Sequence, residues 1–150
     1  MQRFIATPSS PVRNQTSYRV IYGDTDKMGV VYYANYLRWF ERGRSEFLRE
    51  LGVPYGEIEA RGVHFPVVEA TCRYARPARY EDLIEIETRL DFVSRASLVF
   101  CYRVLRDGED APLAATALAS VKARRTPQST NPDAVTAALA ECRAWIQSVP

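Results

Sequence analysis

The chain has 150 residues, with 20 basic and 18 acidic side chains, and a net charge near +2 excludes nucleic-acid binding driven by composition. Hydrophobic residues make up 47% and charged residues 25%, an ordinary soluble balance, and no apolar run approaches the roughly 18 residues that span a bilayer. Cys72, Cys101 and Cys142 are odd in number and lack metal-ligand spacing, and His64 is the sole imidazole, so neither a structural metal nor a cofactor is expected.

The length fits one domain over 1–150. Residues 1–14 carry prolines and serines without periodicity or the apolar stretch of a signal peptide. They read as a flexible arm on a cytoplasmic protein. Residues 17–22 follow as a first strand, with Tyr18, Val20 and Tyr22 on one face.

Residues 36–51 have helical period. Tyr36, Phe40, Phe47 and Leu51 share a face flanked by Leu37, Trp39 and Leu48. Arg42, Glu46, Arg49 and Glu50 lie opposite, with Arg42 and Glu46 spaced for an i,i+4 pair. Gly52 and Pro54 form a stop signal. Gly43 costs about 1 kcal/mol against alanine inside a helix. It lies three residues after Phe40 and four before Phe47, near the apolar face, which points to close packing of the helix on a sheet.

After a connector at 55–62 the pattern turns β-like, first at 64–74 with Phe65, Val67 and Val68. Over 83–92, Ile84, Ile86, Thr88 and Leu90 alternate with Glu85, Glu87, Arg89 and Asp91. Residues 97–105 form the next run, and Asp107-Gly108 signals a hairpin. The Ala-rich 112–125 would suit a helix in isolation, but its place after a hairpin turn makes it a strand. Pro127, Asn131 and Pro132 break it, and 132–148 is a terminal helix. One strand, a long helix and four strands give an α+β fold, an antiparallel sheet of about five strands around one long helix.

The densest chemistry stands where the first strand meets that helix: Asp24-Thr25-Asp26-Lys27-Met28-Gly29-Val30-Val31-Tyr32-Tyr33-Ala34-Asn35-Tyr36. Asp-Thr-Asp before a helix is turn and capping chemistry in its own right. A carboxylate beside a helix N-terminus also supplies a base or nucleophile next to backbone N–H donors. That is the minimum equipment for attacking an activated carbonyl.

The string and the element order resemble the hotdog-fold acyl-CoA thioesterases, in particular the 4-hydroxybenzoyl-CoA thioesterase/YbgC-like group, over residues 16–125. The resemblance implies an acyl-CoA substrate and a homodimer or homotetramer whose protomers pair edge to edge with the active site at their interface. It places the catalytic carboxylate on Asp26 and the oxyanion donor on the backbone N–H of Tyr33, where YbgC-like members often have histidine. Substrate contacts fall on Gly29 and on Phe65, Pro66 and Val67, the last three lining the acyl site opposite Asp26. Asp24 is expected to hold the turn. Arg73, Arg76, Arg79, Lys122, Arg124 and Arg125 are available for the coenzyme phosphates. Two alternatives stand beside this reading. One is a non-catalytic acyl-CoA-binding module on the same fold. The other is a 3-hydroxyacyl dehydratase, suggested by His64-Phe65-Pro66, although Val67-Val68-Glu69 departs from the Gly-x-Pro continuation of that group.

Overall fold

The computed structural model describes residues 13–94, 96–110, 112–122, 124–125, 133–137, 140 and 144. In chain order the elements are β1 (Arg13–Arg19), α1 (Asn35–Glu50), α2 (Tyr55–Ala60), β2 (Val63–His64) and β3 (Val67–Tyr74), then β4 (Leu83–Val93), β5 (Ser97–Arg106), β6 (Ala114–Lys122) and β7 (Arg124–Arg125). Five strands form one sheet in the order β1-β4-β5-β6-β3, and β2 pairs with β7 separately. All these pairings are antiparallel. The α+β plan expected from the sequence is therefore present. No helix among the described residues is long and apolar enough to cross a membrane.

The core forms where two periodicities meet. Ile84, Ile86, Thr88 and Leu90 alternate inward from β4, each at most 1% exposed, because a period of two sends every second side chain to one face. The helical period of α1 presents Tyr36, Trp39, Phe40, Phe47 and Leu48 to that layer. Phe40 stacks on Tyr102 at 4.6 Å, and Phe47 meets Phe100 edge-on at 5.8 Å. Gly43 sits between them against β4. A Cβ there would collide with Thr88 Oγ1 and come within 3.1 Å of Ile86 Cγ2, which confirms the close helix–sheet approach. Gly52 closes the helix with φ +82°, a left-handed conformation that glycine adopts without penalty.

Several expectations need correction. β1 begins at Arg13, so Arg13 and Asn14, assigned to the arm, belong to the sheet; residues 1–12 lie outside the described residues. β1 also stops at Arg19. Tyr22 falls in a 3-10 turn (Tyr22–Asp24) and is 78% exposed, so it does not share a face with Tyr18. Leu37, expected to flank the apolar face of α1, is largely exposed. Glu46 pairs with Arg49 rather than Arg42, because the Arg42 guanidinium lies over the Tyr18 ring at 5.6 Å, where the negative ring face attracts it. The connector contains α2, anchored by buried Ile58. Proline has no N–H to give a ladder, and the run at 64–74 splits at Phe65-Pro66 into β2 and β3. The Ala-rich segment is a strand, as β6. Of the expected helix at 132–148, residue 133 is a turn, residues 134–137, 140 and 144 are helical, and the rest lies outside the described residues.

β3 is an edge of the sheet, bonded to β6 on one side, and every residue in it except half-buried Cys72 is exposed.

Candidate active site

The loop between β1 and α1 is tied down by its first aspartate. The buried Asp24 carboxylate accepts the Tyr18 hydroxyl at 2.7 Å and the Ile21 N–H at 3.1 Å. Its backbone carbonyl accepts the Tyr32 N–H and Asn35 Nδ2, each at 2.9 Å. Oδ2 and the backbone carbonyl of Asp24 are thus both committed to the turn, and Asp24 lines a different cavity from Asp26. Asn35 pins the loop in the same stroke.

Asp26 is held differently. Its N–H donates to the Val30 carbonyl at 2.9 Å, its carbonyl accepts the Gly29 N–H at 3.0 Å, and Oδ1 accepts the Met28 N–H at 2.8 Å. This local turn fixes the side chain while Oδ2 has no partner among the described residues. Gly29 makes the turn possible through φ +72°; a Cβ there would meet no atom, so its role is conformational rather than steric. The loop is docked on the opposite segment by Val31 N–H to the Ala78 carbonyl at 2.8 Å and by Arg79 Nη1 to the Gly29 carbonyl at 3.4 Å.

Asp26 and Tyr33 line one cavity of about 270 Å³ together with Tyr36, Tyr74, Arg76 and Pro77. Tyr33 stands just before the first turn of α1, where N–H groups are left without helical acceptors, and its own N–H has no acceptor among the described residues. Its ring is largely exposed and meets the Tyr74 ring edge-on at 6.2 Å. Tyr36 is buried, its hydroxyl accepts the Ala78 N–H at 3.2 Å, and that burial pushes its pKa up.

Phe65, Pro66 and Val67 are elsewhere in the chain. Phe65 and Val67 line a second cavity of about 240 Å³ with Arg44, Leu48, Tyr55 and Phe100. The Phe65 N–H donates to the Tyr55 hydroxyl at 3.1 Å, and the Pro66 carbonyl accepts the Lys122 N–H at 3.1 Å. Within one chain the structure thus joins Asp26 to Tyr33 and Gly29, and puts the Phe65 segment at the other end of β3. Of the candidate phosphate ligands, Arg76 and Arg79 lie beside the Asp26 loop, whereas Lys122, Arg124 and Arg125 lie at the Phe65 end. His64 is paired with Arg124 in the β2–β7 ladder.

Sequence reasoning did not find Tyr74 or the segment 75–82 that backs the Asp26 loop. Arg106 holds that segment through the Pro77 carbonyl at 3.1 Å and Asp82 at 3.0 Å, and it also pairs with Glu109 at 3.0 Å. None of these contacts follows a fixed spacing in sequence. Among the described residues no group of three or more His, Cys, Asp or Glu side chains could hold a metal ion.

Comparison with known proteins agrees with this architecture. The family model described as the thioesterase-like superfamily matches residues 20–139. The chain is 34% identical over 97 residues to a putative acyl-CoA thioesterase, YneP, of Bacillus subtilis, covering 65% of this chain and 70% of that protein. It is 41% identical over 87 residues to the acyl-CoA thioester hydrolase YbgC of Escherichia coli, covering 58% of this chain and 65% of that one. The crystal structure of a hypothetical protein from Thermus thermophilus superposes with a TM-score of 0.73 at 36% identity, over 85% of this chain and 95% of that one. On the extent of the family match, this chain is a hotdog-fold member of the thioesterase-like superfamily.

Proposed function

We propose that this protein hydrolyses an acyl-CoA thioester to the free acid and coenzyme A, with Asp26 as general base or nucleophile and the Tyr33 N–H as oxyanion donor. One observation carries the reading. Asp26, with one carboxylate oxygen uncommitted among the described residues, lines the same cavity as Tyr33, whose backbone N–H at the helix start has no acceptor among them. Thioester-hydrolase relatives at 34% and 41% identity support the same chemistry.

A thioester needs little more. Sulfur donates poorly into the carbonyl, and thiolate is a competent leaving group. As general base, Asp26 takes a proton from water while the water oxygen adds to the carbonyl. The oxyanion then collapses, the C–S bond breaks, and the thiolate leaves with that proton. As nucleophile, an Asp26 oxygen adds directly and the thiolate departs, leaving a mixed anhydride that water cleaves to regenerate the carboxylate. In either route the oxyanion develops against the Tyr33 N–H. A preorganised donor of this kind is worth about 3–4 kcal/mol, and the α1 N-terminus adds a favourable field.

The edge strand completes the site in this reading. Antiparallel pairing of β3 with its copy about a two-fold axis sets the Val67 end of one protomer beside the Tyr74 end of its partner. The Phe65–Val67 cavity of one protomer then faces the partner's Asp26, and the two groups of basic residues meet at one mouth. Pairing also covers an exposed edge.

The test is Asp26→Asn assayed on a panel of acyl-CoAs. Near-complete loss of turnover with the fold intact is expected, and near-wild-type turnover would sink the proposal. Tight binding of acyl-CoA by the wild-type chain without hydrolysis of any substrate would point instead to a binding module. Single turnover in ¹⁸O-water separates the routes, since label in the Asp26 peptide marks the anhydride.

A further inference from the structure

We propose that Tyr74 is a positioning residue for the oxyanion donor: its hydroxyl fixes the peptide plane after Tyr33 and so limits the play of the Tyr33 N–H. The inference rests on the hydrolase reading above and adds a residue to it.

The Tyr33 Cα joins two peptide planes, and each is pinned by a different group. The plane before it carries the Tyr33 N–H, and its Tyr32 carbonyl accepts the Asn35 N–H at 2.9 Å. In a trans peptide the N–H points opposite to that carbonyl, so this bond sets the donor's general direction. The plane after it carries the Tyr33 carbonyl, which accepts the Tyr74 hydroxyl at 2.9 Å from β3, 41 residues away. The other bond to this carbonyl comes from the Tyr36 N–H at 3.3 Å, longer than the usual range of about 2.7–3.2 Å. Without the Tyr74 hydroxyl, this plane is held by one long bond, and play in it passes through the shared Cα to the donor.

The hydroxyl is itself well placed to act as a fixed support. The Tyr74 ring meets Tyr36 edge-on at 5.0 Å and Tyr33 edge-on at 6.2 Å. Tyr36 is anchored in the core, only 2% exposed. Tyr74, Tyr33 and Asp26 line the same cavity. Burial first, and then the neighbouring Cys72, push the Tyr74 hydroxyl up to about 12, so it remains a protonated donor at any pH where a thioester is assayed. Tyr74 transfers no proton in this role; it holds a geometry. Because Tyr74 ends the edge strand, the register of β3 reaches the donor through this bond.

Tyr74→Phe in the full chain removes the oxygen and keeps the ring contacts. The expected result is a kcat about tenfold lower with KM within about twofold, and a pH profile parallel to that of the wild type, since no titrating group is lost. A second readout is independent of turnover. The ¹⁵N and amide-proton shifts of Ala34, whose N–H shares a peptide plane with the Tyr33 carbonyl that receives the bond, are expected to move, while amides in β5 stay in place. A kcat equal to wild type, or an unmoved Ala34 resonance, overturns the role. So does a change confined to KM, or loss of one limb of the pH profile, which would make Tyr74 a binding or acid–base group. An active wild type with an equally active Tyr74→Phe removes this role alone, whereas an active Asp26→Asn removes the hydrolase reading beneath it.

Discussion

Gly43 of α1 lies so close to Thr88 of β4 that a methyl group on the glycine would overlap the threonine Oγ1. Thr88 is fully buried, and its hydroxyl has no partner among the described residues. Gly43→Ala sets a helix-propensity gain of about 1 kcal/mol against overpacking of roughly 1–3 kcal/mol. The clash should win because the neighbour is fixed in a central strand, giving a net loss of roughly 1 kcal/mol and a Tm lower by roughly 2–4 °C. Adding Thr88→Ala removes the colliding atom and should restore much of the loss in a double-mutant cycle. A double mutant no more stable than Gly43→Ala alone would show that the helix does not rest on this contact.

The proposed two-fold pairing of β3 makes a prediction about mixed oligomers. Asp26→Asn lacks the reacting carboxylate but keeps the Phe65–Val67 cavity. Val67→Arg, at a position 47% exposed, blocks that cavity and keeps Asp26. Each variant alone should be inactive. In a heterodimer the intact Asp26 of one protomer faces the intact cavity of the other, so one of the two sites is complete. After subunit exchange at equal amounts, half of the dimers are mixed, and activity should return to about a quarter of wild type. No recovery despite demonstrated exchange would argue that each chain works with its own cavity.

What could be read from the sequence was what repeats along it. The α1 face and the β4 alternation both follow from a fixed period, and both are found in the core. The close approach at Gly43 was readable because a glycine on an apolar helix face has few other uses. Asp24 was expected to hold the turn, and its hydrogen bonds to Tyr18 and Ile21 do so. The start of β1 was hidden because its first residues, Arg13-Asn14-Gln15, are polar and show no alternation; Asn14 is buried by a bond to Glu50 at 2.7 Å, which no local pattern announces. Arg42 gave up its helical partner for a ring on another element. Tyr74 and Arg106 reach the Asp26 loop region from 41 and 29 residues away, so their positions depend on strand order rather than spacing.

Tyrosines whose pKa values rise on folding predict an alkaline limit to stability. Tyr102 is 1% exposed, and burial, the dominant cause, raises its pKa despite the Arg44 guanidinium that donates to it at 3.0 Å. Tyr36 and Tyr18 are raised too, burial again coming first, and Tyr74 is pushed up to about 12. A folded-state pKa above the unfolded value of 10.0 means that the folded chain binds more protons than the unfolded one in between. The stabilisation is complete below pH 10 and is lost as pH rises through the folded values, for Tyr74 between about 10 and 12. The tyrosine part of the urea midpoint should therefore hold up to pH 10 and fall above it, while Cys72 and Cys101, raised by burial from 9.0, begin to lower the midpoint from pH 9. Tyr102→Phe should make that fall shallower, and an unchanged slope would mean that other groups set the limit.

Arg106 shapes the proposed active site without lining its cavity. Its guanidinium bonds Asp82, Glu109 and the Pro77 carbonyl, and Glu109 also pairs with Arg76 at 2.7 Å. These bonds hold the segment whose Ala78 carbonyl receives the Val31 N–H and whose Pro77 lines the Asp26 cavity. Arg106→Gln should lower kcat severalfold by loosening that wall, with a modest cost in Tm, since partly exposed ion pairs contribute little to stability. The same network predicts an acid limb. Arg106 first, then Arg76, hold the Glu109 carboxyl below its ordinary 4.5. A depressed folded pKa contributes stability that is present above the unfolded value and is lost as pH falls through the folded one. Stability should therefore drop below pH 4.5 in the wild type, and the Glu109 part of that drop should shrink in Arg106→Gln. An Arg106→Gln enzyme with wild-type kcat and an unchanged acid limb would show that the 75–82 segment keeps its place without the arginine.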